Sequence, residues 1–181
     1  MKINLIIFLS KFGIGGAGNS IFRLCKGLSK KKFNISIICL NKCSFDKEFR
    51  KIQIKVYKIK SNKTFFAMSK VLSITKFLIS KKYKKNIFIS NIHYTNVLSL
   101  IFLRNLNNLK IVLVERTPLM ELSIYFDLID FIKKNIIHLL IYLLYNLSDV
   151  IICNSANIGK YFKIKYNLKK RVKYFNNLFI T

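Results

Sequence analysis

Four of the six glycines in this chain fall within one turn, Gly13, Gly15, Gly16 and Gly18. The turn follows an apolar run, Ile3 to Leu9. After it come Ile21, Leu24, Cys25 and Leu28, apolar at i, i+3, i+4 and i+7, the period of a helix buried on one face. Strand, glycine turn and helix in that order set bare backbone N–H groups at the positive end of a helix dipole. Such a turn receives a phosphate or another anion without side chains.

The rest of the chain repeats the alternation. Phe33 to Leu40, Ile52 to Ile59, Ile87 to Ser90, Lys110 to Val114, Val150 to Cys153 and Val172 to Phe175 read as strands. The alternating run Ile52 to Ile59, with lysines between its apolar positions, belongs nearer a sheet edge. Helical patterns over Thr64 to Lys82, His93 to Leu106, about Glu121 to Leu147, and Ser155 to Lys165 separate the later strands. Near-continuous apolar strands alternating with helices predict an α/β fold. It is a doubly wound parallel sheet, Rossmann-like, covered by helices on both faces.

At 181 residues and 52% hydrophobic content the chain has enough apolar material for one domain, 1–181. No apolar run reaches the roughly 18 residues of a membrane span. The N-terminal run is short and leads directly into glycines rather than a small-residue cleavage site, so it reads as a buried strand and the protein as cytoplasmic. Cys25, Cys39, Cys43 and Cys153 form no CxxC pair, and no histidine stands at zinc spacing; they read as small buried hydrophobes, with no metal. The formal charge is +26, from 33 Lys+Arg against 7 Asp+Glu. Codon bias in an AT-rich genome accounts for such a composition, and so does attraction to an anionic membrane surface. No interleaved aromatic–basic motif names an RNA fold, so nucleic acid is not an expected partner.

In an open parallel sheet, ligands bind outside the carboxyl ends of the strands. Gly13-x-Gly15-x-x-Gly18 fits the dinucleotide fingerprint but lacks its companion acid: the second strand ends Leu40-Asn41-Lys42. A lysine there suits a 2′-phosphate, which keeps an NADP-dependent oxidoreductase as an alternative, beside a non-catalytic basic module on membrane or RNA. No Lys-Ser/Thr closes the turn, which excludes a P-loop. The candidate residues are Gly15 and Gly16 for phosphate; Glu115 and Arg116 after the fifth strand; His93 and Asn96 after the fourth; and Ser155 at a helix start. Each has a plainer reading: a tight turn for the glycines, a surface ion pair for Glu115 and Arg116, a loop residue for His93, helix caps for Asn96 and Ser155. His138, among leucines, reads as structural. No Ser or Cys triad is assembled.

Gly15-Gly16-Ala17-Gly18 with Phe22-Arg23-Leu24-Cys25-Lys26-Gly27-Leu28 resembles the first glycine loop and helix of GT-B glycosyltransferases of family 4. Ile89 to Asn96 is similar to the family's segment ending in Thr-Asn before a helix. Val114-Glu115-Arg116-Thr117-Pro118 resembles the Ser-Glu-Arg-x-x-Pro loop of its polysaccharide-assembly branch. Asp149 to Ser155 and Val172 to Asn177 resemble the strands that close the first domain. Two departures stand out. Many members carry Glu where Gly18 stands, and many carry a catalytic-loop His where this chain has Glu115-Arg116, so no catalytic residue is carried over.

The resemblance implies the N-terminal, acceptor-side half of a retaining enzyme. Such an enzyme moves a sugar from a nucleotide-sugar donor to a glycan or lipid-linked acceptor in surface polysaccharide or related synthesis, with no cofactor beyond the donor itself. Gly15 and Gly16 would face the donor diphosphate; Glu115, Arg116, His93 and Asn96 the acceptor; Ser155 and Asn177 the rest of the cleft. The donor-binding second domain, with its paired glutamates, would be supplied in cis or in trans, and this half alone would be inactive. A peripheral place on the inner face of the cell membrane is expected. The helix from Thr64 to Lys82, with Phe65, Phe66, Lys70, Lys76, Lys81 and Lys82, extended by Lys84 and Lys85, is its expected docking face.

Overall fold

The apolar run at the N-terminus forms β1 (Ile3–Leu9), and the glycine turn opens α1 (Gly16–Gly27). There follow β2 (Phe33–Leu40), α2 (Asp46–Lys51), β3 (Lys55–Ile59), α3 (Thr64–Leu78), β4 (Lys85–Asn91), α4 (His93–Leu103) and β5 (Leu109–Glu115). The chain continues through α5 (Leu128–Leu144), a 3-10 turn (Tyr145–Leu147), β6 (Val150–Cys153), α6 (Ala156–Lys165) and β7 (Val172–Tyr174). The computed structural model describes residues 2–11, 13, 15–80, 83–116, 124–169 and 172–174. The strands form a seven-stranded sheet in the order β3-β2-β1-β4-β5-β6-β7, with parallel pairing and flanking helices, the expected Rossmann-like arrangement.

The chain divides into two compact units, residues 1–90 with 105–110, and residues 91–104 with 111–181. In the first, β1 lies between β2 and β4. Its register is pinned by buried asparagines that the sequence pattern did not reveal. Asn4 stands opposite both Asn34 and Asn86. Its Nδ2 donates to Asn86 Oδ1 at 2.9 Å and to the Leu78 carbonyl at 3.0 Å, while Asn34 Nδ2 donates to Asn4 Oδ1 at 2.9 Å. A one-residue slip would bury these amides unpaired and turn the apolar set outward. On one face α1 and α2 seal a core of Ile7, Leu9, Ile21, Cys25, Ile37 and Phe49. Phe22 stacks on Phe45 there at 5.2 Å and meets Phe49 edge-on at 5.5 Å.

In the second unit β5, β6 and β7 are parallel neighbours. Asp149 Oδ2 accepts from the Ile111 backbone N–H at 2.8 Å and ties the start of β6 to β5. Leu100, Leu103, Leu113, Ile141, Ile151 and Phe162 are fully buried.

Several boundaries differ from expectation; the helix expected from Thr64 to Lys82, for one, stops at Leu78. The strand expected from Ile52 starts at Lys55, because Asp46–Lys51 forms the short helix α2. That helix has Asp46 and Glu48 in its first turn and Arg50 and Lys51 in its last, the charge order its dipole favours. The helix at His93 stops at Leu103. Within the stretch expected to be helical from Glu121, α5 occupies Leu128–Leu144, its N-cap Asp127 accepting from the Asp130 N–H at 2.6 Å. Among the described residues no helix is long and apolar enough to cross a membrane.

Candidate functional site

In the first unit the chain enters α1 through Gly15, whose extended backbone (φ −158°) is open to any residue. The first intrahelical bond runs from Asn19 N–H to the Gly15 carbonyl at 2.9 Å, which leaves the first-turn N–H groups without an intrahelical acceptor. Among the described residues no side chain caps them, and no acid occupies the first turn. The glycines differ in what they are for. A Cβ on Gly18 would lie 2.2 Å from the Gly13 carbonyl oxygen, whereas one on Gly15 or Gly16 would meet nothing within 4 Å. Turn packing explains Gly18 and leaves Gly15 and Gly16 unexplained by the fold.

The second unit gathers polar side chains at the carboxyl ends of β4, β5 and β6. Glu115 closes β5 and is fully buried. Its Oε1 accepts from Asn96 Nδ2 at 2.7 Å and from the Tyr145 hydroxyl, while Oε2 and Asn96 Oδ1 are buried without a hydrogen-bond partner. Burial pushes the carboxyl up to about 7, against the two donors, and raises the Tyr145 hydroxyl well above its ordinary value. One residue on, Arg116 is only partly buried, and its Nε donates to Asn91 Oδ1 at 3.3 Å. The Arg116 carbonyl accepts from Asn154 Nδ2 at 3.4 Å. Among the described residues no carboxylate pairs with this guanidinium.

The turn into α4 is strained. Ile92, β-branched, has φ 74°, a backbone state costing on the order of 1–3 kcal/mol, held by its N–H bond to the Val114 carbonyl at 3.0 Å. No side chain caps α4. His93 begins the helix half-buried; burial first, and nearby His138 second, lower its pKa to about 4, so the imidazole is neutral at physiological pH. Ser155 caps α6, its Oγ accepting from the Ile158 N–H at 3.2 Å.

Among the described residues one unit thus offers an uncapped helix N-terminus, and the other an arginine without a carboxylate partner at a strand's carboxyl end. Comparison with known proteins decides what kind of chain this is. The family described as Glycosyltransferase Family 4 matches residues 14–178. The chain belongs to glycosyltransferase family 4. Its fold is similar to that of Anabaena Alr3699/HepE, solved with UDP, at 14% identity and a TM-score of 0.63 over 98% of this chain and 44% of that one. The same protein with UDP and glucose gives 14% identity and a TM-score of 0.65 over 96% of this chain and 44% of that one. The N-terminal domain of Candida albicans trehalose-6-phosphate phosphatase matches at 10% identity and a TM-score of 0.53, over 96% and 48% of the two chains. The chain thus spans less than half the length of these structures. No curated protein sequence matches it.

For this family 4 chain the structure brings together His93, Asn96, Glu115 and Arg116 in one unit, with Ser155 following β6. Two of them differ from their plainer readings. Asn96 is no helix cap: Ile92 holds that position, and Asn96 lies fully buried one turn in, also donating to the Val114 carbonyl at 3.2 Å. Glu115 forms no surface ion pair, and its carboxylate reaches no solvent. Of the two, Arg116 is the one that is not fully buried. Gly15 and Gly16 lie in the other unit. Asn177, with Thr117 and Pro118, lies outside the described residues, as do Lys81 and Lys82 of the expected docking face. His138 bonds and stacks against Tyr166. Tyr145 was not singled out from sequence, because nothing in its spacing marks it; Asn91 and Asn154 fall within the stretches expected at the strands' carboxyl ends. All four cysteines are free and buried, and no cluster of three metal-ligating side chains occurs among the described residues.

Proposed function

We propose that this chain is the acceptor-side half of a retaining glycosyltransferase. It would serve transfer of a sugar from a nucleotide-sugar to a glycan or lipid-linked acceptor in surface polysaccharide or related synthesis. Its place would be peripheral, on the inner face of the cell membrane, and its donor-binding domain would be supplied in cis or in trans. The observation that carries this reading is Arg116, a partly buried guanidinium at the carboxyl end of β5 with no carboxylate partner among the described residues. Burial lowers its pKa, so an anion that approaches it stabilises a charge already partly stripped of water. A diphosphate linking sugar to lipid presents the bidentate oxygens a guanidinium fits.

Other groups take supporting roles. The first-turn N–H groups of α1, behind Gly15 and Gly16, would stabilise negative charge on the donor diphosphate as it leaves. Neutral His93 would offer a hydrogen bond rather than a charge to the acceptor. Glu115 and Asn96 would hold the end of β5 rather than touch the sugar.

Titration with a polyprenyl diphosphate sugar in micelles tests the reading. Arg116→Gln should weaken binding by at least about tenfold, the loss of a charge-assisted hydrogen bond, with an unchanged melting temperature. Failure of the parent chain to bind any diphosphate would overturn the acceptor-side assignment.

A further inference from the structure

The helix α5 is inverted: its wet side is its most apolar. Leu128 (73% exposed), Ile129 (62%), Ile132 (49%), Ile136 (50%), Leu139 (57%) and Leu143 (55%) all meet solvent. At 100° per residue these six fall within one arc of about 100°, along roughly 23 Å of helix. Ile141, the only buried residue of α5, points the opposite way. Polar groups border the arc on both sides, Asn135 on one and the exposed Lys133 on the other, while Asp130 and Lys134 lie on the opposite side of the helix. Asn135 Nδ2 donates to the Phe131 carbonyl at 2.8 Å, and Asp127 is the N-cap. Asp130 is paired with Lys134 at 2.6 Å. Phe126, 86% exposed, stands at the N-terminal end beneath Lys134, 5.3 Å from its ring. A face this apolar and continuous exceeds what a soluble surface ordinarily shows.

We propose that this face of α5 is a membrane-contact surface, lying in the plane of an anionic leaflet with its aliphatic side chains among the acyl chains. Charge selects lipid over a second copy of the chain. Each copy carries a formal +26, which opposes self-association and favours an anionic surface. Cations also flank the helix. Lys165 lies over Tyr166, which stacks on His138 of α5, and Lys169 borders the cleft lined by Tyr142 and Leu143. Basic side chains beside an apolar helical face are what an interfacial helix needs. The expected docking helix, α3, is built the ordinary way round: it buries Ala67, Met68, Val71 and Thr75, with Lys70 and Lys76 exposed. Phe65, Phe66 and Phe77 are exposed on it, with Ser69, Ser73 and Lys76 between them, so they form no such continuous face. The inference deepens the membrane side of the function proposed above and rests on it for the partner alone.

The chain contains no tryptophan, so a single Leu139→Trp substitution gives a reporter on α5 without background. Mixed with phosphatidylcholine vesicles containing phosphatidylglycerol at low salt, its emission should shift to the blue and be quenched by brominated acyl chains. Ile132→Gln, Leu139→Gln and Leu143→Gln together should weaken co-sedimentation at least about tenfold and leave the melting temperature unchanged, since each side chain is already about half wet. If the parent chain fails to bind these vesicles, the membrane reading falls and this inference with it. If it binds while the Leu139→Trp reporter stays unquenched and the Gln variant binds equally well, α5 is not the contact and the membrane reading survives. A parent dimer in vesicle-free buffer that the Gln variant abolishes would assign the face to a second copy and overturn the lipid proposal.

Discussion

A carboxyl group sealed from water resists losing its proton, and Glu115 has only Tyr145 and Asn96 to compensate. Its native value of about 7 stands above the 4.5 of an ordinary glutamate. Between those values the folded chain keeps a proton that the unfolded chain has released. Rising pH therefore costs stability from about 4.5 to 7, on the order of 3 kcal/mol, and nothing further above that. His93 works in the opposite sense. Its native value of about 4 lies below its ordinary 6.5, so it adds stability as pH rises through that window. The difference between parent and Glu115→Gln isolates the glutamate. Gln keeps an Oε1 for both donors and introduces no charge. Denaturant titrations should show the variant gaining on the parent by up to about 3 kcal/mol between about pH 5 and pH 8. A constant difference would mean that Glu115 ionises as an ordinary surface acid.

At the scale of elements, Ser155 separates a structural role from a functional one. Its hydroxyl accepts from Ile158 N–H, so Ser155→Ala should cost about 1 kcal/mol in urea denaturation through the lost cap. Ser155→Asp, which restores an acceptor, should recover it. The cap was legible in the sequence, as were the strands, because buried parallel strands are nearly continuous apolar runs that need no register to be seen. The helix α2 was not, since six residues give too little periodicity, and its alternating neighbour Ile52-Gln53-Ile54 imitates a strand. Glu115 and Arg116 were legible as residues at a strand's end, but which of them points inward depends on Tyr145, thirty residues away. The apolar character of α5 was equally plain in the sequence. Its wet side was not, because leucines at 139, 140, 143 and 144 fit either orientation.

For the whole molecule, the span of less than half the length of the matched structures bears on activity. The purified chain, supplied with labelled nucleotide-sugars and a lipid-linked acceptor, is expected to transfer no sugar. This expectation rests on the acceptor-side role proposed above, in which the donor-binding domain is supplied in cis or in trans. Turnover above the protein-free blank would show that a complete donor site lies within these residues. The formal +26 speaks to what the chain approaches and leaves the choice of sugar open.

The strand order also bears on synthesis. β1 precedes its partners in the sequence and lies between β2 and β4, both of which are complete by residue 91. The asparagines that fix their register, Asn4, Asn34 and Asn86, are complete by then as well. At translation rates of roughly 5–20 residues per second, the inner strand can be paired on both edges seconds before Glu115 emerges. At those rates β1 waits roughly 4–16 s for its second partner, while α5, made after both, leaves the ribosome with an apolar face still open.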